Sequence, residues 1–252
     1  MATAVITGAS SGIGREFALQ LADMGYSLIL AARREDKLLD LSKTLPVPAE
    51  CIRADLSHQE DCYALYEACR GKDVNILINN AGFGNFGFFC DAELERETEM
   101  IDVNVHAVHI LTKLFLKDFT AKNEGRILNV ASSAGFMPAG PLMASYYASK
   151  AYVLSLSQGI AKELKKSGSA VTVSALCPGP VKTEFDEVAG VRFAAGGITA
   201  AKAASAGIRG MLKGKRVIVP GASMKTGRIF TKILPDSVLT SFAYRFQKAK
   251  GE

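Results

Sequence analysis

Thr7-Gly8-Ala9-Ser10-Ser11-Gly12-Ile13-Gly14 lies between a short apolar run, Ala4–Thr7, and a periodic segment, Arg15–Met24, that Gly25 stops. Glycine tolerates positive φ and has no side chain, so a turn built from three of them lets the backbone come close to a pyrophosphate. A helix opening at such a turn presents unpaired N–H groups and its positive dipole end to that anion. Taken alone, the stretch reads as a tight turn. Its place after a first strand and at the mouth of a first helix points to phosphate binding. Gly8, Ser10, Ser11, Gly12, Ile13 and Gly14 are therefore candidate cofactor contacts.

Outward from this turn the pattern keeps alternating. Apolar strands are predicted at Ser27–Ala32, Glu50–Arg53, Val74–Ile78, Arg126–Ala131, Val171–Leu176 and Arg216–Val219. Helices are predicted at Glu35–Leu45, Gln59–Arg70, Glu97–Thr120, Tyr146–Lys166 and Ala200–Leu212. Short β-branched runs between longer periodic segments imply crossover units on a parallel sheet, and strands apolar at nearly every position imply helices on both faces. The expected fold is a single α/β, Rossmann-like, doubly wound domain over 1–252 with a seven-stranded parallel sheet. Within it, 1–180 would mainly bind cofactor, 181–199 would form a substrate lid, and 222–252 a C-terminal helical extension.

Composition narrows the function. At 252 residues, 48% apolar and 22% charged, the chain can bury a globular core, and its net charge of +5 is spread too evenly for a nucleic-acid surface. Five cysteines without a C-x-x-C pair argue against a disulfide framework or a zinc site, so no metal is expected. No apolar run spans a bilayer, and the opening MATAVITGAS lacks a leader pattern; a reducing cytoplasm is the expected compartment.

Two further clusters carry chemistry. The second strand ends Ala31-Ala32-Arg33-Arg34, with no carboxylate for ribose hydroxyls. Arginine's planar fork suits phosphate oxygens, so NADP(H) is expected over NAD(H), with Arg33 as the main contact and Arg34 as helper. The plainer reading is a pair of exposed helix-start residues. Tyr146 and Lys150 stand four apart at a helix start, one turn apart on one face. A nearby ammonium should lower the phenol's pKa and make Tyr146 a general acid/base. Ser133, 13 residues earlier at the end of a strand, could hold a substrate oxygen against Tyr146. Tyr147 and Ser132 are the adjacent residues set aside: Tyr147 lacks the four-residue relation to Lys150 and should turn into packing.

With its T-G-x-x-x-G-x-G turn, Asn79-Asn80-Ala81-Gly82, the serine and Tyr146-x-x-x-Lys150, the chain resembles the short-chain dehydrogenase/reductase family from Thr7 to about Thr183. The resemblance implies several roles. Asp55 and Leu56 would hold the adenine, although Asp55 alone also reads as a helix cap. Asn80, Ala81 and Gly82 would border the cofactor. Asn104 would anchor a water beside the lysine. Pro178, Gly179, Val181 and Thr183 would cover the nicotinamide. Tyr146 and Lys150 would touch the cofactor as well as the substrate. The helices bearing Asn104 and Tyr146 would pair subunits in a homodimer or homotetramer.

Substrate contacts are expected from Phe83, Phe86, Phe88 and Phe89, from Phe136, Met137, Leu142 and Met143, and from Glu184–Ile198. Aromatic and methionine side chains there favour a small apolar ketone or alcohol. Acyl-thioester, hydroxysteroid and sugar-like substrates stay open, as does a non-catalytic NADP(H)-sensing regulator on the same fold. The tail, Met224–Lys250, mixes apolar and basic residues. It could touch a membrane surface peripherally, but docking on the protein's own substrate side or on a second subunit is the plainer reading.

Overall fold

The computed structural model describes residues 2–185, 189–190 and 197–251. Its first half runs β1 (Thr3–Thr7), α1 (Gly12–Asp23), β2 (Ser27–Ala32), α2 (Glu35–Ser42), β3 (Ala49–Arg53), α3 (Gln59–Cys69) and β4 (Val74–Asn79). Then come α4 (Leu94–Ile101), a π-helical turn (Asp102–Ala107), α5 (Val108–Lys122), β5 (Arg126–Val130), a 3-10 turn (Ser133–Phe136), α6 (Ala144–Lys166) and β6 (Thr172–Leu176). The chain continues through β7 (Val181–Lys182), β8 (Ile198–Thr199), α7 (Ala200–Leu212), β9 (Val217–Ile218), α8 (Ala222–Phe230) and α9 (Asp236–Gly251).

Seven strands form one parallel sheet in the order β3-β2-β1-β4-β5-β6-β9. The chain winds outward in one direction from β1 and in the other from β4. The two halves therefore part at the carboxyl ends of β1 and β4, where open sheets of this kind leave a crevice. Alternation along the strands builds both cores. Ala4 and Ile6 face Phe17 and Leu21 of α1 and Ile208 and Met211 of α7. Val5, between them, faces the opposite layer with Leu65 of α3 and Phe115 and Phe119 of α5. Each such buried Val, Leu, Ile, Phe or Met side chain stabilises the fold by roughly 1.5–3 kcal/mol.

The structure departs from the expected elements in two places. The helix expected over 97–120 is interrupted by the π turn, whose extra residue rotates Asn104 onto the backbone of Phe83. A second, two-stranded sheet pairs Val181 with Ile198 and Lys182 with Thr199. Strands of two residues carry no periodic pattern to read. The tail forms α8 and α9, and α9 buries Leu239, Ala243 and Gln247 while Phe242 stays exposed. No helix among the described residues is long and apolar enough to cross a membrane. Of the lid expected over 181–199, residues 186–188 and 191–196 lie outside the described residues.

A buried polar cluster locks β4 and β5 to the helices above them. Asn79 Nδ2 donates to Asn129 Oδ1 (2.9 Å) and Thr112 Oγ1 (3.0 Å), and Asn129 Nδ2 donates to Ser157 Oγ (3.0 Å). Removing one member leaves the others desolvated and unpaired, which costs more than the bond itself. Asn129→Leu is expected to lower stability by about 2–4 kcal/mol in urea unfolding. A change below about 0.5 kcal/mol would show that the cluster does not hold the sheet.

Candidate active site

The floor of the crevice is set where β1 meets β4. Thr7 Oγ1 accepts from Asn80 N (3.0 Å) and Ala81 N (3.1 Å), and Asn80 Nδ2 donates to Thr7 O (3.0 Å) and Gly8 O (3.2 Å). These bonds pull the glycine turn against the end of β4. Gly8 has φ +65°, and a Cβ there would sit 2.8 Å from Ala81 Cα. A Cβ on Gly14 would sit 2.1 Å from Gly8 O, so Gly14 serves the packing of the turn. All the other candidate cofactor positions border one elongated cleft, from Arg33 and Arg34 past the turn to Tyr146 and Lys150.

At one end of the cleft, Arg34 Nη2 donates to Ser10 Oγ (3.2 Å), Ser11 Oγ (3.0 Å) and Glu184 Oε2 (2.8 Å). Lys37 also reaches Glu184 (3.3 Å). These cations, Arg34's hydrogen bond first, hold the Glu184 carboxyl below its usual range. Arg33 pairs with Glu99 (2.8 Å). It is Arg34, expected only as a helper, that bridges to the glycine turn. Asp55 Oδ1 accepts from Ser57 N (3.1 Å) and Ser57 Oγ (2.7 Å), so it closes a local turn while lining the cleft. Burial opposes its ionisation, but the Ser57 bonds and the charge of Arg33 outweigh it, and the carboxyl lies below the ordinary value.

At the other end, Tyr146 and Lys150 stand on α6 as their spacing requires. Lys150 is 5% exposed; Nζ donates to Val130 O (3.1 Å) and lies 5.8 Å from the centre of the Tyr146 ring. An ammonium has three donors, and Val130 O is the one acceptor it meets among the described residues. Burial pushes Lys150 down to about 8. Burial likewise pushes the Tyr146 phenol up to about 12, against the hydrogen bond with Ser132 that pulls it down. The expected acidification of Tyr146 by Lys150 is therefore corrected: desolvation disfavours both charged forms and dominates each group.

Of the two serines, it is Ser132, set aside in the sequence, whose hydroxyl pulls on the Tyr146 phenol. Ser132 Oγ accepts from Ala134 N (3.1 Å) and caps the 3-10 turn, which fixes it beside the phenol. Ser133 is the first residue of that turn and gives its backbone N–H to Pro178 O (2.8 Å), tying the loop after β6 to the site. Both serines border the cleft. Asn104 lies behind it, fully buried: Oδ1 accepts from Phe83 N (3.1 Å), and Nδ2 donates to Phe83 O (2.9 Å) and Ser149 Oγ (3.1 Å). It positions the segment after β4 that carries Gly82.

Of the expected substrate contacts, Phe83, Met143 and Glu184 border the cleft. Phe86 and Met137 pack beside Met143 and Tyr147, whereas Phe88 and Phe89 point to solvent. Phe136 packs with Val153 and Cys177, under Arg228. Phe185, within the expected Glu184–Ile198 stretch, also borders the cleft, its ring 5.6 Å from that of Tyr146; sequence reasoning did not single out Phe246 and Gln247 of α9 as cleft residues, which close it from the far end of the chain. Tyr147, read as packing, is buried but also borders the cleft.

The model of the short chain dehydrogenase family matches residues 2–190. An uncharacterized oxidoreductase of Staphylococcus saprophyticus is 35% identical over 186 residues, covering 71% of this chain and 78% of that protein. The solved short-chain dehydrogenase from Sphingobium yanoikuyae in complex with NADPH has a TM-score of 0.82 at 30% identity, covering 94% of this chain and 98% of that one. A short chain dehydrogenase/reductase from Burkholderia phymatum in complex with NAD has a TM-score of 0.83 at 28% identity, covering 91% and 92%. With the parallel sheet and its cleft at the β1–β4 divide, these similarities establish that the chain belongs to the short-chain dehydrogenase/reductase family of NAD(P)-dependent oxidoreductases.

Proposed function

We propose that the protein uses NADPH to reduce an apolar ketone to its alcohol, with Tyr146 as the proton donor. The observation that carries this reading is the Tyr146 phenol, sharing its cleft with Ser132 and one helical turn from buried Lys150, at the carboxyl edge of the sheet. Ser132 would take the orienting role expected of Ser133. A phenol held up to about 12 is fully protonated near neutrality, the state a donor needs. Its proton passes to the carbonyl oxygen, and the Lys150 ammonium stabilises the phenolate left behind.

The cleft fits a dinucleotide. Its glycine turn offers backbone to a pyrophosphate, and Lys150, whose ammonium meets one acceptor among the described residues, borders the opposite end. Gly8–Gly14 would hold the pyrophosphate, Asp55 and Leu56 the adenine, and Arg33 and Arg34 the 2′-phosphate. Asn80, Ala81 and Gly82, with Pro178, Gly179, Val181 and Thr183, would border the nicotinamide half. When bound, the cofactor supplies the hydride. Phe83, Met143 and Phe185 make the substrate wall apolar, which supports a ketone without charge near its carbonyl.

Tyr146→Phe should keep NADPH affinity and lose at least about 100-fold in kcat with an active ketone. A non-catalytic sensor would show no ketone-dependent NADPH loss even in the wild type. Ser132→Ala should lower kcat by about 10- to 100-fold, whereas Ser133→Ala stays within about 3-fold. The reverse order would restore Ser133 to the orienting role. In fluorescence titrations the Arg33→Ala/Arg34→Ala variant should bind NADPH about 10- to 100-fold more weakly and NADH nearly unchanged. A wild-type preference for NADH would contradict the assignment of both arginines.

A further inference from the structure

Helix α9 docks through a stripe of one residue per turn: Leu239 (5% exposed), Ala243 (2%) and Gln247 (1%). The first two are apolar, as a docking stripe demands. The third is a primary amide, a group seldom buried so completely. Its Nε2 donates to Tyr147 Oη (2.5 Å), but its Oε1 is buried without a partner among the described residues. Leaving an amide oxygen desolvated and unpaired is unfavourable, and packing alone would be served better by leucine or methionine. Gln247 and Phe246 border the same cleft as Tyr146, and Tyr147 connects the two sites, its ring centre 6.2 Å from that of Tyr146.

We propose that Gln247 binds the far end of the substrate, its Oε1 accepting a hydrogen bond from a hydroxyl carried by an otherwise apolar ketone. This rests on the reductase reading above and adds to it a polar point distant from the carbonyl. With Nε2 given to Tyr147 Oη, Oε1 is the amide atom left for the ligand. The cleft thus selects for a hydrogen-bond donor set at one distance from the carbonyl. A purely apolar ketone leaves Oε1 unpaired, and an acceptor at that position would meet it lone pair to lone pair.

The test is a series of straight-chain methyl ketones, stepped in length, each compared with its terminal hydroxyl and terminal methyl ether counterparts under NADPH. At one chain length the hydroxyketone should exceed both counterparts in kcat/KM by at least about 5-fold, mainly through KM. Gln247→Met, nearly isosteric, should bring the ratio between hydroxyketone and methyl ketone close to one. If that variant does not fold, the wild-type preference for hydroxyl over methyl ether decides the matter. Reduction of all three at equal efficiency at every length, a preference for the ether, or an unchanged ratio in Gln247→Met overturns the role of Gln247 and leaves the reductase reading intact. Failure to reduce any member overturns both.

Discussion

The site depends on an ammonium enclosed by protein. Lys150 reaches the end of β5 from α6 and is tied to Val130 O, so the helix that carries Tyr146 cannot slide along the sheet without unpairing a buried charge. The neighbouring elements are shaped around it. A Cβ on Gly82 would lie 2.6 Å from Asn104 Oδ1 and 3.2 Å from Lys150 Nζ, so the segment after β4 can pass between those two side chains only as glycine. Asn104 in turn holds the next residue, Phe83, by both its backbone groups. Strand ends, π turn and helix start are therefore one assembly, and the phenol's position follows from it.

Burial acts on the two titratable groups in opposite directions. It lifts the tyrosine to about 12 and lowers the lysine to about 8, so each is driven toward its neutral form. In the proposed reduction this suits the first event, release of a proton from an intact phenol, and makes the lysine's charge most useful once a phenolate appears. The cleft's polar end works differently. Glu184 pairs with both Arg34 and Lys37 there, and an arriving phosphate would compete with that carboxylate for the same cations.

Much of the frame was legible in the sequence because local chemistry decides it. The strands facing two helical layers are continuous apolar runs, and the glycine turn and Asn79–Gly82 segment sit at strand ends, where backbone must approach backbone. Tyr146 and Lys150 were legible because helical geometry makes four residues one turn. What stayed hidden depends on tertiary placement. Counting back from Tyr146 selected Ser133, but the 3-10 turn directs the hydroxyl of its cap, Ser132, to the phenol. The π turn keeps a helical pattern of apolar residues, so its extra residue left no mark around Asn104. Gln247 lies in an amphipathic tail where a polar residue reads as solvent-facing, and only docking of α9 shows it to be buried. The direction of the Tyr146 shift depends on desolvation, which pair spacing does not report.

In the proposed reduction a hydride passes to a carbonyl carbon while Tyr146 protonates the oxygen. Its most direct measurement is mass spectrometry of the alcohol formed from an apolar ketone with NADPH deuterated at the transferring nicotinamide carbon. A single deuterium on the carbinol carbon, matched to the NADPH consumed, is the expected result. NADPH loss with no deuterium in the product, or product formed without NADPH loss, would contradict it.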